Sequence, residues 1–271
     1  MTAPHRYAQS FAELFALEPC GEDVYSLHVP FSWGGASLAA GTLAACLTAP
    51  DRTLRSLHAW FLHPVPSDTE IVVRVDRLRD GRLLSHRRVV FEAEGRALFE
   101  LTASLGAAGA APDAIAWQEG GLAHEPPAPE AVVSLLDRRA AGQDWREVLD
   151  WRPLGQAPLY REGAPDSAWG SWVRPTMSLP EGKGWAAAAL AYMSDNHSDW
   201  SMAQRVKDYT IKRYSTLDTQ IWFHRPPEWD DWLFVQSVGE VAYGGYGLGR
   251  RSVFDRRGAL VATMLQEALY R

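Results

Sequence analysis

Residues 59–75, AWFLHPVPSDTEIVVRV, and residues 221–238, IWFHRPPEWDDWLFVQSV, carry the same features in the same order. Each begins with an apolar strand end closing on Trp-Phe, turns at prolines, and continues as an alternating strand. The adjoining segments repeat too: LLSHRRVVFEAEGRALFELTASL (83–105) answers YGLGRRSVFDRRGALVATMLQEAL (246–269). Trp222 and Trp60, Pro226 and Pro64, Arg250 and Arg88, and Leu260 and Leu98 are all separated by 162 residues. A constant offset over unlike residue types is the mark of a duplicated structural unit. In each copy an apolar strand ends at proline and is succeeded by an alternating strand, over Ile71 to Leu78 or Trp232 to Val241. Two further strands then meet at a Gly-containing turn, AEGR or DRRG. The pattern predicts an antiparallel meander in each half.

Ahead of each meander lies a helical candidate. The first is ASLAAGTLAACLT (36–48), just after Gly34-Gly35, and the second is KGWAAAALAYMSD (183–195), running into Asp195. Helices so rich in alanine, with Leu38, Leu43 and Leu47 on one side of the first, are expected to be buried on most faces by a curved sheet. Between the copies, GAAGAAPDAIAWQEGGLAHEPPAPEA is rich in Ala, Pro and Gly and lacks a sustained period. It reads as a connection, with a short helix expected after Pro129.

Composition narrows the function. The 271 residues are 46% hydrophobic and 22% charged, with a net charge of -6 at pH 7, which suits a globular protein and not a duplex-binding surface. No nucleic acid is expected as a partner. Cys20 and Cys46 make neither a disulfide framework nor a metal-ligand spacing, so a reducing, cytoplasmic setting is the expectation. The N-terminus lacks a signal-peptide pattern and no apolar run reaches spanning length, so no membrane is expected either. Twelve tryptophans suit a core, a wide pocket or an oligomer interface.

The two copies differ chemically where a site is expected. At the constant offset, Thr216 stands opposite Leu54, Gln266 opposite Ser104, and Asp195 opposite Trp33. Only the second copy holds an acid, a hydroxyl and an amide. The strand STLDTQIWF (215–223) also alternates, with Thr216, Asp218 and Gln220 on one side and Leu217, Ile221 and Phe223 on the other. Its polar side is expected to face a site at the Thr216 end.

FSWGGASLAAGTLAA (31–45), LHAWFLHPVPSDTEIVVRVDRLRDGRLLSHRRV (57–89), WVRPTMSLPEGKGWAAAALAYMSD (172–195), STLDTQIWFHRP (215–226) and GALVATMLQEALYR (258–271) together resemble the acyl-CoA thioesterase II family. The most specific segments are LAYMSD, WFHRP and VATMLQE. The resemblance implies an α+β double hotdog, in which each of two tandem antiparallel sheets wraps a central helix. Residues 1–106 would form the N-terminal hotdog, 107–150 a connection, and 151–271 the C-terminal hotdog carrying the catalytic residues. It also implies an acyl-CoA substrate and, residue by residue, catalysis by Asp195, Thr216 and Gln266. The sequence departs from the family after Asp195, where NHSDWSMAQRVKDY (196–209) is more polar, and in GGASLAAG, which lacks a polar residue after its glycine pair. Both departures bear on acyl-chain preference.

Thioester hydrolysis needs a nucleophile, a proton acceptor and donors to the developing oxyanion. There is no G-x-S-x-G elbow and no Cys paired with a base, so a water held by Asp195, Thr216 and Gln266 is the expected nucleophile. Gly34 and Gly35 are candidate oxyanion or substrate contacts, because backbone amides at a helix start face an approaching carbonyl. Trp33 is a further candidate contact and, with Trp200, is expected to shorten the acyl tunnel toward medium or aromatic acyl groups. Arg88, with Arg87, Arg250 and Arg251, is a candidate for the CoA phosphates. His58, His63 and His224 sit at the proline corners and are read as structural. Neither a metal nor another cofactor is implied. Two rival readings are a non-catalytic acyl-CoA-binding module and an enoyl-CoA hydratase, for which Asp195-Asn196-His197 is a poor match. Hotdog sheets leave long edges, so a homodimer or larger homo-oligomer is expected.

Overall fold

In a computed structural model of the protein, the described residues are 11–29, 31–107, 116–118, 121–122, 125–138, 148–154, 168–182, 184–197, 211 and 213–271. Trp200 and the polar stretch at 198–209 fall outside them. The first half contains a short helix α1 (Phe11–Leu14), strands β1 (Leu17–Gly21) and β2 (Val24–Val29), and helix α2 (Gly34–Leu47). Strands β3 (Arg52–Phe61), β4 (Thr69–Asp80), β5 (Leu84–Ala93) and β6 (Arg96–Ala107) complete it. The second half has β7 (Leu149–Pro153), β8 (Ala168–Pro175), α3 (Trp185–Ser194), β9 (Tyr214–Phe223), β10 (Leu233–Tyr243), β11 (Tyr246–Asp255) and β12 (Leu260–Tyr270).

Among the described residues the twelve strands form one antiparallel sheet in the order β1-β2-β4-β5-β6-β3-β9-β12-β11-β10-β8-β7. The order reads the same way outward from its centre, where β3 pairs with β9. In that central ladder His58 pairs with Gln220, Ser56 with Trp222 and Trp60 with Asp218. His58 and Gln220 are themselves 162 residues apart, so a pseudo-two-fold axis passes through this pair and exchanges the two halves. Strands β3 and β9, and β5 and β11, begin and end at the same offset.

Helix α2 is buried from Ser37 to Cys46, and α3 from Ala188 to Ser194. They pack against each other inside the curved sheet. Their alanines let two backbones approach closely while Phe91, Phe99, Leu101 and Leu105 cover them from the sheet. Each such fully buried phenylalanine or leucine contributes about 1.5–3 kcal/mol. Gly184 precedes α3 at φ +99, and a Cβ there would lie 2.8 Å from Cys46 Cβ, so both backbone conformation and space require glycine.

Two buried arginines close the helices' C-terminal ends. Arg87 donates to the Thr48 hydroxyl at 2.9 Å and the Thr48 carbonyl at 3.1 Å. Arg251 donates to the Ser194 carbonyl at 3.0 Å. Unsatisfied carbonyls and the negative end of the helix dipole account for both.

The structure corrects three sequence alignments. The turn between β11 and β12 closes through Asp255 and Ala259, whereas Ala93 pairs directly with Arg96 in the first half. The extra residue moves the offset to 163 in the last strand, where Gln266 pairs with Thr219 and is therefore equivalent to Ala103, which pairs with Leu57, and not to Ser104. Leu260 likewise matches Ala97 and not Leu98. The equivalence of Asp195 with Trp33 also fails. Trp33 caps the start of α2, whereas Asp195 caps the end of α3.

The segment read as a connection belongs structurally to the second half where it is described. It forms two 3-10 turns, Pro129–Ala131 and Leu136–Arg138, in place of the expected helix. Val132 and Leu122 pack on a small cluster of Trp172, Trp232, Phe234 and Phe254, and the Pro127 carbonyl accepts a bond from the Trp172 indole. Strand β7 already begins at Leu149.

Candidate active site

Asp195, Thr216 and Gln266 meet at one end of the helix pair. Thr216 Oγ1 donates to Asp195 Oδ1 at 3.1 Å, and Gln266 Nε2 donates to the same oxygen at 2.9 Å. Gln266 Nε2 also lies 3.1 Å from Thr216 Oγ1. The other carboxylate oxygen, Oδ2, accepts the Gly35 amide at 3.0 Å. That donor comes from the first turn of α2, so the site is built from both halves and uses the positive end of the α2 dipole.

Thr216 reaches Asp195 through a backbone irregularity. In β9, Asp218 pairs with Glu267 but Thr216 pairs with Ala268, which leaves Leu217 bulged. A bulge reverses the alternation and re-aims the side chain before it. Thr216 therefore points inward with Thr219 and Ile221 and does not share a face with Asp218 and Gln220, correcting the simple alternation. Those two instead face His58, Asp218 at 3.8 Å and Gln220 at 3.4 Å. The first half carries the matching bulge at Arg55, between Leu54 and Ser56.

Burial raises the Asp195 pKa above the ordinary carboxylate range; the donors Gln266, Thr216 and Gly35 and the charge of Arg251 act in the opposite direction. Gln266 is buried, and its Oε1 has no partner among the described residues. Tyr214 extends the network, its hydroxyl 3.2 Å from Thr216 Oγ1. In the sequence only its place two residues before Thr216 points to it.

Gly34 matters for space. A Cβ on it would stand 2.7 Å from Asp195 Oδ2 and 2.8 Å from the Phe61 ring. Trp33 stacks edge-on against Tyr192 at 4.3 Å, beside the site. Gly35 spends its amide on Asp195, so this geometry does not offer it as an oxyanion donor. Arg88 is not brought to the site. It pairs with Glu100 at 2.7 Å and Asp76 at 3.4 Å on the outer face of the sheet. Arg250 pairs with Glu240, while Arg87 and Arg251 hold the helix ends.

The histidines also lie elsewhere. His58 stacks on Trp60, His63 lies by Arg96, His224 bonds Thr263, and His197 packs edge-on against Trp151. Among the described residues no group of three or more His, Cys, Asp or Glu could hold a metal ion, and no helix is long and apolar enough to cross a membrane.

The model of the acyl-CoA thioesterase C-terminal domain matches residues 123–270, and that of the N-terminal domain matches residues 26–106. The chain belongs to the acyl-CoA thioesterase family. This is a family of thioester hydrolases, and its two domain models fall on the two halves of the sheet. The chain is 28% identical over 261 residues to acyl-CoA thioesterase 2 of Haemophilus influenzae, covering 88% of this chain and 87% of that one. The crystal structure of acyl-CoA thioesterase II TesB2 from Mycobacterium marinum superimposes with a TM-score of 0.80 at 27% identity, covering 96% of this chain and 97% of the other. A hot dog fold protein from Alicyclobacillus acidocaldarius gives a TM-score of 0.78 at 18% identity over 96% of this chain and 97% of its own. The acyl-CoA thioesterase fold here is accordingly the double hotdog.

Proposed function

We propose that this thioesterase hydrolyses acyl-CoA by direct attack of a water held at Asp195, Thr216 and Gln266. The observation that carries the reading is the convergence of three donors on one carboxylate. Among the described residues Oδ1 accepts two bonds, from Thr216 and Gln266, and Oδ2 one, from Gly35. A carboxylate oxygen can accept two, so Oδ2 keeps the capacity to take a proton from water. Enclosure raises its basicity, which favours proton transfer near neutral pH. The Gln266 Oε1 atom is a second acceptor that can orient the same water.

The steps balance without a covalent enzyme intermediate. Water oxygen bonds the thioester carbon while its proton passes to Asp195. The tetrahedral intermediate then collapses, the carbon–sulfur bond breaks, and the proton returns to the leaving thiolate. The products are a carboxylic acid and coenzyme A. A hydratase role for His197 lacks support, since its ring packs on Trp151.

In this reading residues 1–106 act as one hotdog unit and 151–271 as the other, with β7 and the described part of 107–150 packed onto the second unit. Trp60 and Trp222, both exposed near the pseudo-axis, suit a self-associated form of at least two chains; a monomer mass at micromolar concentration would reject that. Free thiols at Cys20 and Cys46 fit a reducing compartment such as the cytoplasm, and an acyl-CoA substrate fits a role in lipid metabolism. The deciding experiment measures free-thiol release from acyl-CoAs of increasing chain length by wild type and Asp195→Ala. Release that collapses in a folded Asp195→Ala variant is expected; equal release by both removes the mechanism.

A further inference from the structure

The pseudo-two-fold axis places a second pocket at the opposite end of the helix pair, about 20 Å away by the length of a 14-residue helix. Around Asp195, Gly34 at the start of α2 meets the end of α3 and the Phe61 ring. At the other end, Gly184 at the start of α3 meets Cys46 at the end of α2. Phe223, the equivalent of Phe61, lines a cavity there of about 250 Å³. The equivalents of Thr216 and Gln266 are Leu54 and Ala103, so this end has lost the polar residues that would hold a water.

Its electrostatics are reversed as well. Among the described residues the lining includes Arg52, Arg55 and Arg225 and contains no acid. Arg52 bonds the Gly81 carbonyl, and Arg225 bonds the Leu260 carbonyl and Gln118 Oε1. Neither has a carboxylate partner among the described residues. Arg55, the bulged residue of β3, is exposed and makes no ion pair among the described residues. Of the acids adjacent in sequence, Asp51, Glu181 and Glu228 do not line the cavity, and Glu228 pairs with Arg257. His224 nearby registers the imbalance: burial first, then Arg55 and Arg225, lower its pKa. Between the arginines the walls are apolar, with Leu54, Phe223, Ala186, Ala187 and Pro226 among them.

We propose that this arginine-rimmed cavity is a non-catalytic binding site for a carboxylate-headed apolar chain, the chemical class of a free fatty acid. The apolar floor takes the chain and Arg55 with Arg225 takes the head. A volume of roughly eight waters suits a chain of medium length. The site is separate from the reaction at Asp195 and rests on the repeat and the rim, so its test reads binding and needs no turnover.

The test is calorimetric titration of the full chain with decanoate, comparing wild type with Arg55→Glu, which reverses an exposed rim charge, and with Ala187→Trp, which fills the cavity. Decanoate affinity is expected to fall by roughly tenfold or more in either folded variant, and neutral decanol should bind wild type correspondingly more weakly. Thiol release from acyl-CoA should be unchanged in Arg55→Glu. Decanoate at the Asp195 end is recognised separately, as competitive inhibition of hydrolysis that both variants retain. Decanoate binding indifferent to both substitutions, or matched by decanol, overturns the proposal. An Arg55-dependent signal given by coenzyme A and not by decanoate assigns a phosphate head and rejects the carboxylate.

Discussion

The Gly35 amide lies 3.0 Å from Asp195 Oδ2, although 160 residues separate the two in the chain. The N-terminus of the first central helix thereby holds the carboxylate at the C-terminus of the second. Only one half supplies the acid, but neither half completes its surroundings. This contact makes the helix pairing a condition of the proposed chemistry.

Gly34→Ala tests that condition. A methyl group 2.7 Å from Oδ2 must displace the carboxylate or the helix start, and misplacement on this scale costs about 10²-fold in rate. Steady-state thiol release should show the loss in kcat, while circular dichroism shows the fold retained.

The pH profile should carry the Asp195 signature. Its pKa is raised, chiefly by burial, so activity should climb with pH through a value above the usual carboxylate range. Stability runs the other way. Between the unfolded pKa and the higher folded one, the native state binds more protons, so the Asp195 contribution to unfolding free energy falls as pH rises. Denaturant titrations of wild type and Asp195→Asn across this window should show wild type losing stability relative to the variant with increasing pH. Asp195→Asn should also lose about 10²–10⁴-fold in turnover.

Gln266→Glu replaces a donor 2.9 Å from Asp195 Oδ1 with a second acid. Two carboxyls in such proximity cannot both ionise easily, so the acidic limb should move to still higher pH. Turnover at neutral pH is expected to drop by about tenfold or more. A profile identical to wild type would show that Gln266 is not in the titrating network.

Arg87→Met and Arg251→Met should separate support from chemistry. Each leaves a buried helix-end carbonyl without its donor, at a cost of about 1–3 kcal/mol by chemical denaturation. Only Arg251 adds a charge that lowers the Asp195 pKa. Arg251→Met should therefore shift the acidic limb upward, and Arg87→Met should leave it in place.

The duplicated meander, the buried alanine helices and the acid, hydroxyl and amide of the second copy were all legible in the chain. Periodicity and a repeat offset are local, linear properties, and hydrophobic patterning obeys them. The resemblance carried by LAYMSD, STLDTQIWFHRP and MLQEAL pointed to the same three residues that the structure brings together.

Tertiary structure alone decided how they meet. One extra residue in the β11–β12 turn changes the repeat equivalent of Gln266 from Ser104 to Ala103, and a bulge at Leu217 turns Thr216 inward. Neither is visible in a pattern of period two, because a one-residue slip leaves composition intact while reversing which face a side chain occupies. The Gly35–Asp195 bond, the engagement of Arg88 with Glu100, and the cationic second pocket depend on packing two halves about an axis. Such contacts join residues far apart in sequence, and only the folded sheet and its paired helices set their distances.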